Sequence, residues 1–344
     1  MNILIDVGHP AHVHLFARAS KIWQSRGHKV LFTIRDRPLI PELLKANNLP
    51  YLVASTPRIG KLGQTWELIE HDWNVLKAAH QFKADVMLGT SISITHVSKI
   101  FPAKSIVFNE DDGDVVKLFS CLAYPFADAI VIPEILRDKK TRKHFTYEGY
   151  HELAYLHPDH FSPDPGILGK LGIKEGEDFF ILRLVAFNAH HDTGQAGLSR
   201  AAQLRLVNLL TKHGKVFINN EGKIIDELRP YQLNIPAEQI HHALYYAKML
   251  ISDGQTMTCE AAVLGTPSIR CNTFVGKISY LDELEHKYRL TFGFFPTEEE
   301  QMLAKIEEFI NDKDLKLKWR RKQEVMLEEK IELSTWMVEF VEKF

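Results

Sequence analysis

Two stretches of this chain share one local grammar, and together they constrain the fold more than any other feature. Ile3-Leu4-Ile5-Asp6-Val7 is a nearly unbroken apolar run that ends in Gly8-His9-Pro10-Ala11 and passes into a helical pattern. Met249-Leu250-Ile251-Ser252 ends in Asp253-Gly254-Gln255-Thr256 and then does the same. Continuous apolar strands of this kind belong to parallel sheets covered on both faces. A short turn leading directly into a helix aims backbone N–H groups and the positive helix end at a point just beyond the strand. Two such crevices, far apart in sequence, imply two α/β domains facing each other across a cleft.

The rest of the chain extends this pattern. Strands are predicted at Asn2–Val7, His28–Ile34, Tyr51–Ala54, Val86–Leu88, Ser105–Phe108 and Ala129–Ile132, with helical patterns between them. One of these patterns, Gln64–Phe82, is amphipathic, with Trp66, Ile69, Trp73, Leu76 and His80 at i, i+3, i+4 spacing. A second series places strands at Phe179–Val185, Lys215–Ile218, Met249–Ile251 and Pro267–Arg270. Repeated βα units predict doubly wound parallel sheets with helices on both faces. Three prolines within 158–166 oppose both helix and central strand, so this stretch is expected to be the linker. The expected domains are therefore 1–157 and 167–324, with a last helix at about 325–344 packing back on the first.

Composition excludes several classes. A chain of 344 residues with a net charge of −2 has no general attraction for nucleic acid, and the basic run Lys316–Lys322, flanked by acids, reads as a solvated helix face. The longest apolar run, 118–136, is broken by Pro125, Asp128, Pro133 and Glu134, so no transmembrane segment is expected, while peripheral membrane contact stays open. Cys121, Cys259 and Cys271 have no CxxC spacing and are expected to be reduced core thiols of a cytoplasmic protein.

With both crevices and the linker considered together, the chain resembles the GT-B-fold superfamily. Within it, the chain is similar to the hydrolysing UDP-N-acetylglucosamine 2-epimerases and the lipid-intermediate N-acetylglucosaminyltransferase of cell-wall synthesis. The resemblance implies a GT-B-like α/β fold of two Rossmann-like domains. It further implies a glycosyltransferase-like enzyme with a UDP-sugar donor and a sugar or lipid-linked acceptor, serving surface polysaccharide or glycoconjugate synthesis. A UDP-sugar 2-epimerase or hydrolase is the alternative on the same fold. On this resemblance the turn Asp253-Gly254-Gln255-Thr256 holds the donor diphosphate, Glu260 bonds the ribose hydroxyls, and Gly265-Thr266-Pro267 is the following helix-to-strand turn. Gly8-His9-Pro10-Ala11-His12 corresponds to the N-terminal glycine-rich turn with its histidine.

Individual residues then acquire expected roles. His12, with His9 and Asp6 beside it, is the candidate acid/base group, because an imidazole near neutral pKa suits deprotonation of an acceptor hydroxyl. Arg183 inside an apolar strand must be paired or face the cleft. One of His190 and His191, just past the first strand of the second domain, is expected near the diphosphate. Glu110 and Asp111 end another strand on the acceptor side. No metal and no cofactor are expected, since helix ends can neutralise a leaving diphosphate. The histidine and aspartate clusters nevertheless keep a metal-dependent hydrolase as a rival reading.

Overall fold

The computed structural model describes residues 1–174, 176–185, 196–222 and 224–344. It divides into two compact units, Met1–Tyr155 with Ile331–Phe344, and Leu156–Lys330. The proline-rich stretch 158–166, expected as a linker, therefore lies within the second unit. The charged helix Leu315–Glu329 also belongs to the second unit, and Leu333–Lys343 to the first.

The first unit contains seven parallel strands: β1 (Asn2–Val7), β2 (Lys29–Arg35), β3 (Tyr51–Ser55), β4 (Val86–Gly89), β5 (Lys104–Phe108), β6 (Ala129–Pro133) and β7 (His144–Tyr147). Their spatial order is β3-β2-β1-β4-β5-β6-β7, so the winding reverses between β1 and β4. Ile3, Leu4, Ile5 and Val7 are all fully buried, because a central parallel strand is covered on both faces. Helix Pro10–Ser25 lies on one face of the sheet and packs against Leu333–Lys343, with Arg26 and His28 both reaching Glu342. The other face is closed by a core that includes Leu4, Val75, Ala79, Ile94, Val107 and Ile130.

The second unit contains five parallel strands: β8 (Phe179–Leu184), β9 (Lys215–Asn220), β10 (Met249–Ser252), β11 (Ser268–Cys271) and β12 (Thr291–Phe294), in the order β12-β11-β10-β8-β9. Its winding reverses between β8 and β10. Strands β7 and β12 are absent from the sequence expectation. Both are four-residue edge strands, with half-exposed polar positions in His-Phe-Thr-Tyr and a glycine inside Thr-Phe-Gly-Phe. An edge strand buries less than a central one, and neither carries an apolar run.

One helix departs from its expected orientation. Gly60–Phe82 turns Glu67, His71, Val75, Ala78 and Ala79 toward the sheet. Its larger apolar residues point away, with Trp66 63%, Ile69 54% and Trp73 57% exposed. An amphipathic stripe ordinarily faces the core. Here the sheet-facing places are filled by small alanines and by two polar groups that meet partners rising from β1, β2 and β3.

The basic run is also not simply solvated. Arg320 donates to the carbonyls of Leu264 and Tyr245, Lys316 donates to that of Tyr246, and Gln323 Nε2 reaches Val263 O at 2.6 Å. These donors satisfy the orphan carbonyls at the ends of helices Ile240–Tyr246 and Thr256–Val263. Of the three cysteines, Cys259 and Cys271 are buried, whereas Cys121 is exposed and is not a core thiol.

Candidate active site

In open parallel sheets, ligands bind beyond the carboxyl ends of the strands where the winding reverses. In the first unit that point is flanked by β1 and β4. Gly89 at the end of β4 approaches Asp6 so closely that a Cβ would lie 2.3 Å from the Asp6 carbonyl oxygen. Gly8, at the end of β1, has open space where a Cβ would project.

Asp6 is 3% exposed and saturated with donors. Thr33 Oγ1 donates to Oδ1 at 2.6 Å, Ser91 Oγ to Oδ2 at 2.5 Å, and His71 Nε2 lies 3.0 and 3.1 Å from the two oxygens. Burial pushes the carboxyl's pKa up, but the His71 charge and these hydrogen bonds outweigh it and leave it below its ordinary value. For His71, burial pushes down and Asp6 pulls up more strongly, so its pKa lies above the usual imidazole value. His71 Nδ1 is 2.7 Å from Ser55 Oγ, and the network continues to Glu67, which forms a bidentate pair with Arg35 and accepts from Arg58 N at 2.8 Å. Asp6, expected as a catalytic carboxylate, is thus turned into the protein as the centre of a buried polar network that ties β1, β2 and β4 to helix Gly60–Phe82.

The histidines beside it are arranged differently. His9, expected beside His12 as a catalytic group, caps helix Pro10–Ser25 with its Nδ1 accepting from Ala11 N at 3.2 Å. His12 lies in the first turn with its ring 5.8 Å from that of His9, and its buried Nδ1 has no hydrogen-bond partner among the described residues. Burial holds the His12 imidazole well below its ordinary pKa, with His9 and His151 pushing the same way. His12 is therefore neutral at pH 7, the form able to accept a proton. His14 points elsewhere and stacks on Tyr155 at 5.1 Å.

His151, which the sequence reading passed over, is buried and driven down to about 3 by burial. Its Nδ1 is 3.3 Å from Glu110 Oε2, and its Nε2 has no hydrogen-bond partner among the described residues. Only the fold brings position 151 to the end of the sheet that holds Glu110. Asp111 is placed by Asn109, whose amide donates to the Asp111 carbonyl at 2.6 Å. Asp112 is buried and accepts from Arg137 N at 2.9 Å. No group of three or more metal-ligating side chains assembles among the described residues.

In the second unit the reversal point lies between β8 and β10, and the turn 253–256 sits at its mouth. Asp253 Oδ1 accepts from Val185 N at 2.7 Å and the Asp253 carbonyl accepts from Asn272 Nδ2 at 2.8 Å, which ties the ends of β8, β10 and β11 together. Burial pushes the Asp253 carboxyl up to about 7, against the pull of the Val185 N–H. Gly254 donates to Ser252 Oγ at 2.9 Å and is pressed on Val185, where a Cβ would stand 2.8 Å from Cγ1. Thr258 Oγ1 returns to the Gly254 carbonyl at 2.7 Å. Helix Thr256–Val263 then starts with no side-chain cap on its Gln255 N-cap and no acid in its first turn, while Gln255, Thr256 and Met257 stay partly exposed. The first N–H groups of an α-helix have no intrahelical partner, and such a helix start can receive an anion.

Glu260 lies one turn further along, buried, with Oε1 accepting from the buried His241 Nε2 at 2.9 Å. Oε1 of the residue expected to bond ribose hydroxyls is thus engaged within the protein. Arg183 is paired with Asn219 and Glu221 on and just beyond β9. The expected diphosphate neighbours His190 and His191 lie outside the described residues. On β11, Arg270 is fully buried with no hydrogen bond to its guanidinium among the described residues, and its nearest carboxylate oxygen, Glu285 Oε2, is 4.0 Å away.

Two doubly wound parallel sheets, each with a reversal point and a helix start at its mouth, are the architecture of GT-B proteins. The chain aligns over its whole length with the Streptomyces sp. SF2575 glycosyltransferase SsfS6, solved in complex with thymidine diphosphate, with a TM-score of 0.65, 14% identity and 100% of each chain covered. It also aligns with a Listeria monocytogenes protein assigned as a UDP-N-acetylglucosamine 2-epimerase, with a TM-score of 0.64, 12% identity, and 93% of this chain and 90% of that one covered. At such identities the likeness shows the fold alone. In sequence, residues 1–342 match the profile described as "Protein of unknown function (DUF354)", and the chain belongs to that family. A relative in Methanocaldococcus jannaschii, the uncharacterized protein MJ0665, is 26% identical over 82% of this chain and 86% of its own length.

Proposed function

We propose that this protein is a nucleotide-sugar enzyme, specifically a glycosyltransferase with a UDP-sugar donor. The observation that carries the reading is the start of helix Thr256–Val263 at the reversal point of the second sheet, where Gln255 makes no side-chain cap among the described residues. Amide N–H groups and the helix dipole converge there on one small volume, which suits a diphosphate. The diphosphate is placed against residues 254–257, and Glu260, committed to His241, serves to brace the helix.

In the reaction, the acceptor hydroxyl oxygen bonds to the anomeric carbon as the bond from that carbon to the diphosphate oxygen breaks. Within the first unit, neutral His12 is suited to take a hydroxyl proton, and within the second, the N–H groups at the start of helix Thr256–Val263 are suited to meet the charge of a departing diphosphate. The likeness to SsfS6, solved with bound thymidine diphosphate, supports a diphosphate-binding role for the second unit. The likeness to the Listeria protein supports the second reading, a UDP-sugar 2-epimerase.

Isothermal titration with UDP, UMP and uridine tests the site. UDP is expected to bind most tightly, uridine weakly, and Gly254→Val to weaken UDP binding because its side chain would collide with Val185 and displace the turn. Equal affinity for uridine and UDP would refute a diphosphate site. Incubation with UDP-N-acetylglucosamine and no acceptor then separates the chemistries, because only an epimerase releases N-acetylmannosamine.

A further inference from the structure

The outward stripe on helix Gly60–Phe82 has no role in the site above. Leu62, Trp66, Ile69 and Trp73 recur at spacings of four, three and four, so they lie along one face for about 16 Å at 1.5 Å per residue. Leu62 is 81% exposed, and Ile59, just before the helix, is 99% exposed. Scattered exposed apolar residues are ordinary, but a continuous aromatic and aliphatic stripe marks a surface that something else covers.

Its surroundings indicate what covers it. Lys77 sits over the Trp73 ring with Nζ 5.3 Å from the centroid. Asp72 on the same helix binds His96 Nδ1 at 2.8 Å, and His96 packs edge-on against the exposed Phe126 at 5.6 Å. Beside Phe126, the carbonyl of Pro125 accepts from Lys143 Nζ at 2.9 Å. Lys143 closes the segment Arg137-Asp138-Lys139-Lys140-Thr141-Arg142-Lys143, which has five basic residues and one acid, with Lys139, Lys140 and Arg142 exposed. Every link in this series belongs to the first unit, so a chain of contacts leads from the helix that carries the tryptophan stripe to the cationic segment.

We infer that this surface docks on an anionic lipid bilayer, with Trp66, Ile69 and Trp73 entering the headgroup boundary and the 137–143 segment meeting lipid phosphates. Tryptophan and aliphatic side chains beside lysines are the composition of interfacial helices. A second copy of the chain fits less well, because an interface over this surface gathers two sets of like charges. No described helix is long and apolar enough to span a membrane, so the contact is peripheral. The inference does not depend on the nucleotide-sugar reading.

The full chain is to be floated with vesicles of phosphatidylcholine alone and of phosphatidylcholine with 30% phosphatidylglycerol. Binding is expected only to the anionic vesicles. A fall of about tenfold is expected for Trp66→Ser/Trp73→Ser, for Lys139→Glu/Lys140→Glu/Arg142→Glu, and for the unaltered protein in 0.5 M salt. All substitutions are at exposed positions, and an unchanged melting temperature verifies the fold. Absence of flotation, or flotation that either set leaves unchanged, overturns the inference. So does a sedimentation result in which the unaltered protein is a dimer and the tryptophan variant a monomer, since a second copy then covers the stripe.

Discussion

Replacing Asp6 by Asn removes one charge at the centre of the network beneath the first sheet's reversal point while preserving shape. The Asp6 carboxylate receives Thr33, Ser91 and His71, and the asparagine amide that replaces one oxygen must present N–H groups to a donor. Breaking a buried ion pair by removing one partner costs about 3–5 kcal/mol. For a unit of this size about 1 kcal/mol moves the melting temperature by roughly 2–4 °C, so the first unit should melt about 10 °C lower.

The pH dependence carries a second signature. The folded pKa of His71 is raised, so its contribution is fully present below the ordinary imidazole pKa and is lost as pH rises through the higher folded value. The folded pKa of Asp6 is depressed, so its contribution is present above the ordinary carboxylate pKa and is lost as pH falls through the lower folded value. Guanidinium unfolding followed at pH 6.0 and 8.5 should show the stability difference between wild type and Asp6→Asn shrinking toward the higher pH, since the depressed histidines His12 and His151 contribute alike to both proteins. A loss below about 1 kcal/mol, or a variant that keeps the wild-type slope, would refute the view that this pair anchors the unit.

Three further expectations follow from the same geometry. His12→Gln should lower turnover by about 10²–10⁴-fold while leaving UDP affinity within twofold, because His12 is assigned to the proton and not to the nucleotide; titration and initial rates read the two effects separately. Glu260→Ala should cost about 1–3 kcal/mol in chemical denaturation, by leaving His241 buried without its acceptor, and Glu260→Gln should recover most of that loss because its amide oxygen still accepts. Arg270→Met should be neutral or stabilising by up to about 4 kcal/mol in the same assay, since it removes a desolvated charge with no hydrogen bonds among the described residues.

Much of the architecture was legible because its determinants are local. Apolar runs such as Ile3–Val7 and Met249–Ile251 declare strands buried on both faces, and the turn at 253–256 followed by Thr256–Val263 declares a helix start, since strand and helix periodicity are written within a few neighbouring residues. The edge strands β7 and β12 were not legible, because four residues with half-exposed positions lack that periodicity. The candidate sites divide along the same line. The turn around Gly254 could be located from its own residues, whereas His151 meets Glu110 across 41 positions of sequence (151 minus 110) and has no local sign.

Side-chain partnership was decided by the tertiary structure alone. Asp6 and Glu260 look like free carboxylates in sequence, yet His71 and His241, contributed by other elements, meet them in the interior. The tryptophan stripe looks like a core face by its period, yet the sheet receives the opposite side of that helix, where alanines allow close packing and Glu67 and His71 find their partners. Periodicity states that a helix has two faces; which one is buried depends on the shape and polar groups of whatever it packs against, and those come from distant parts of the chain.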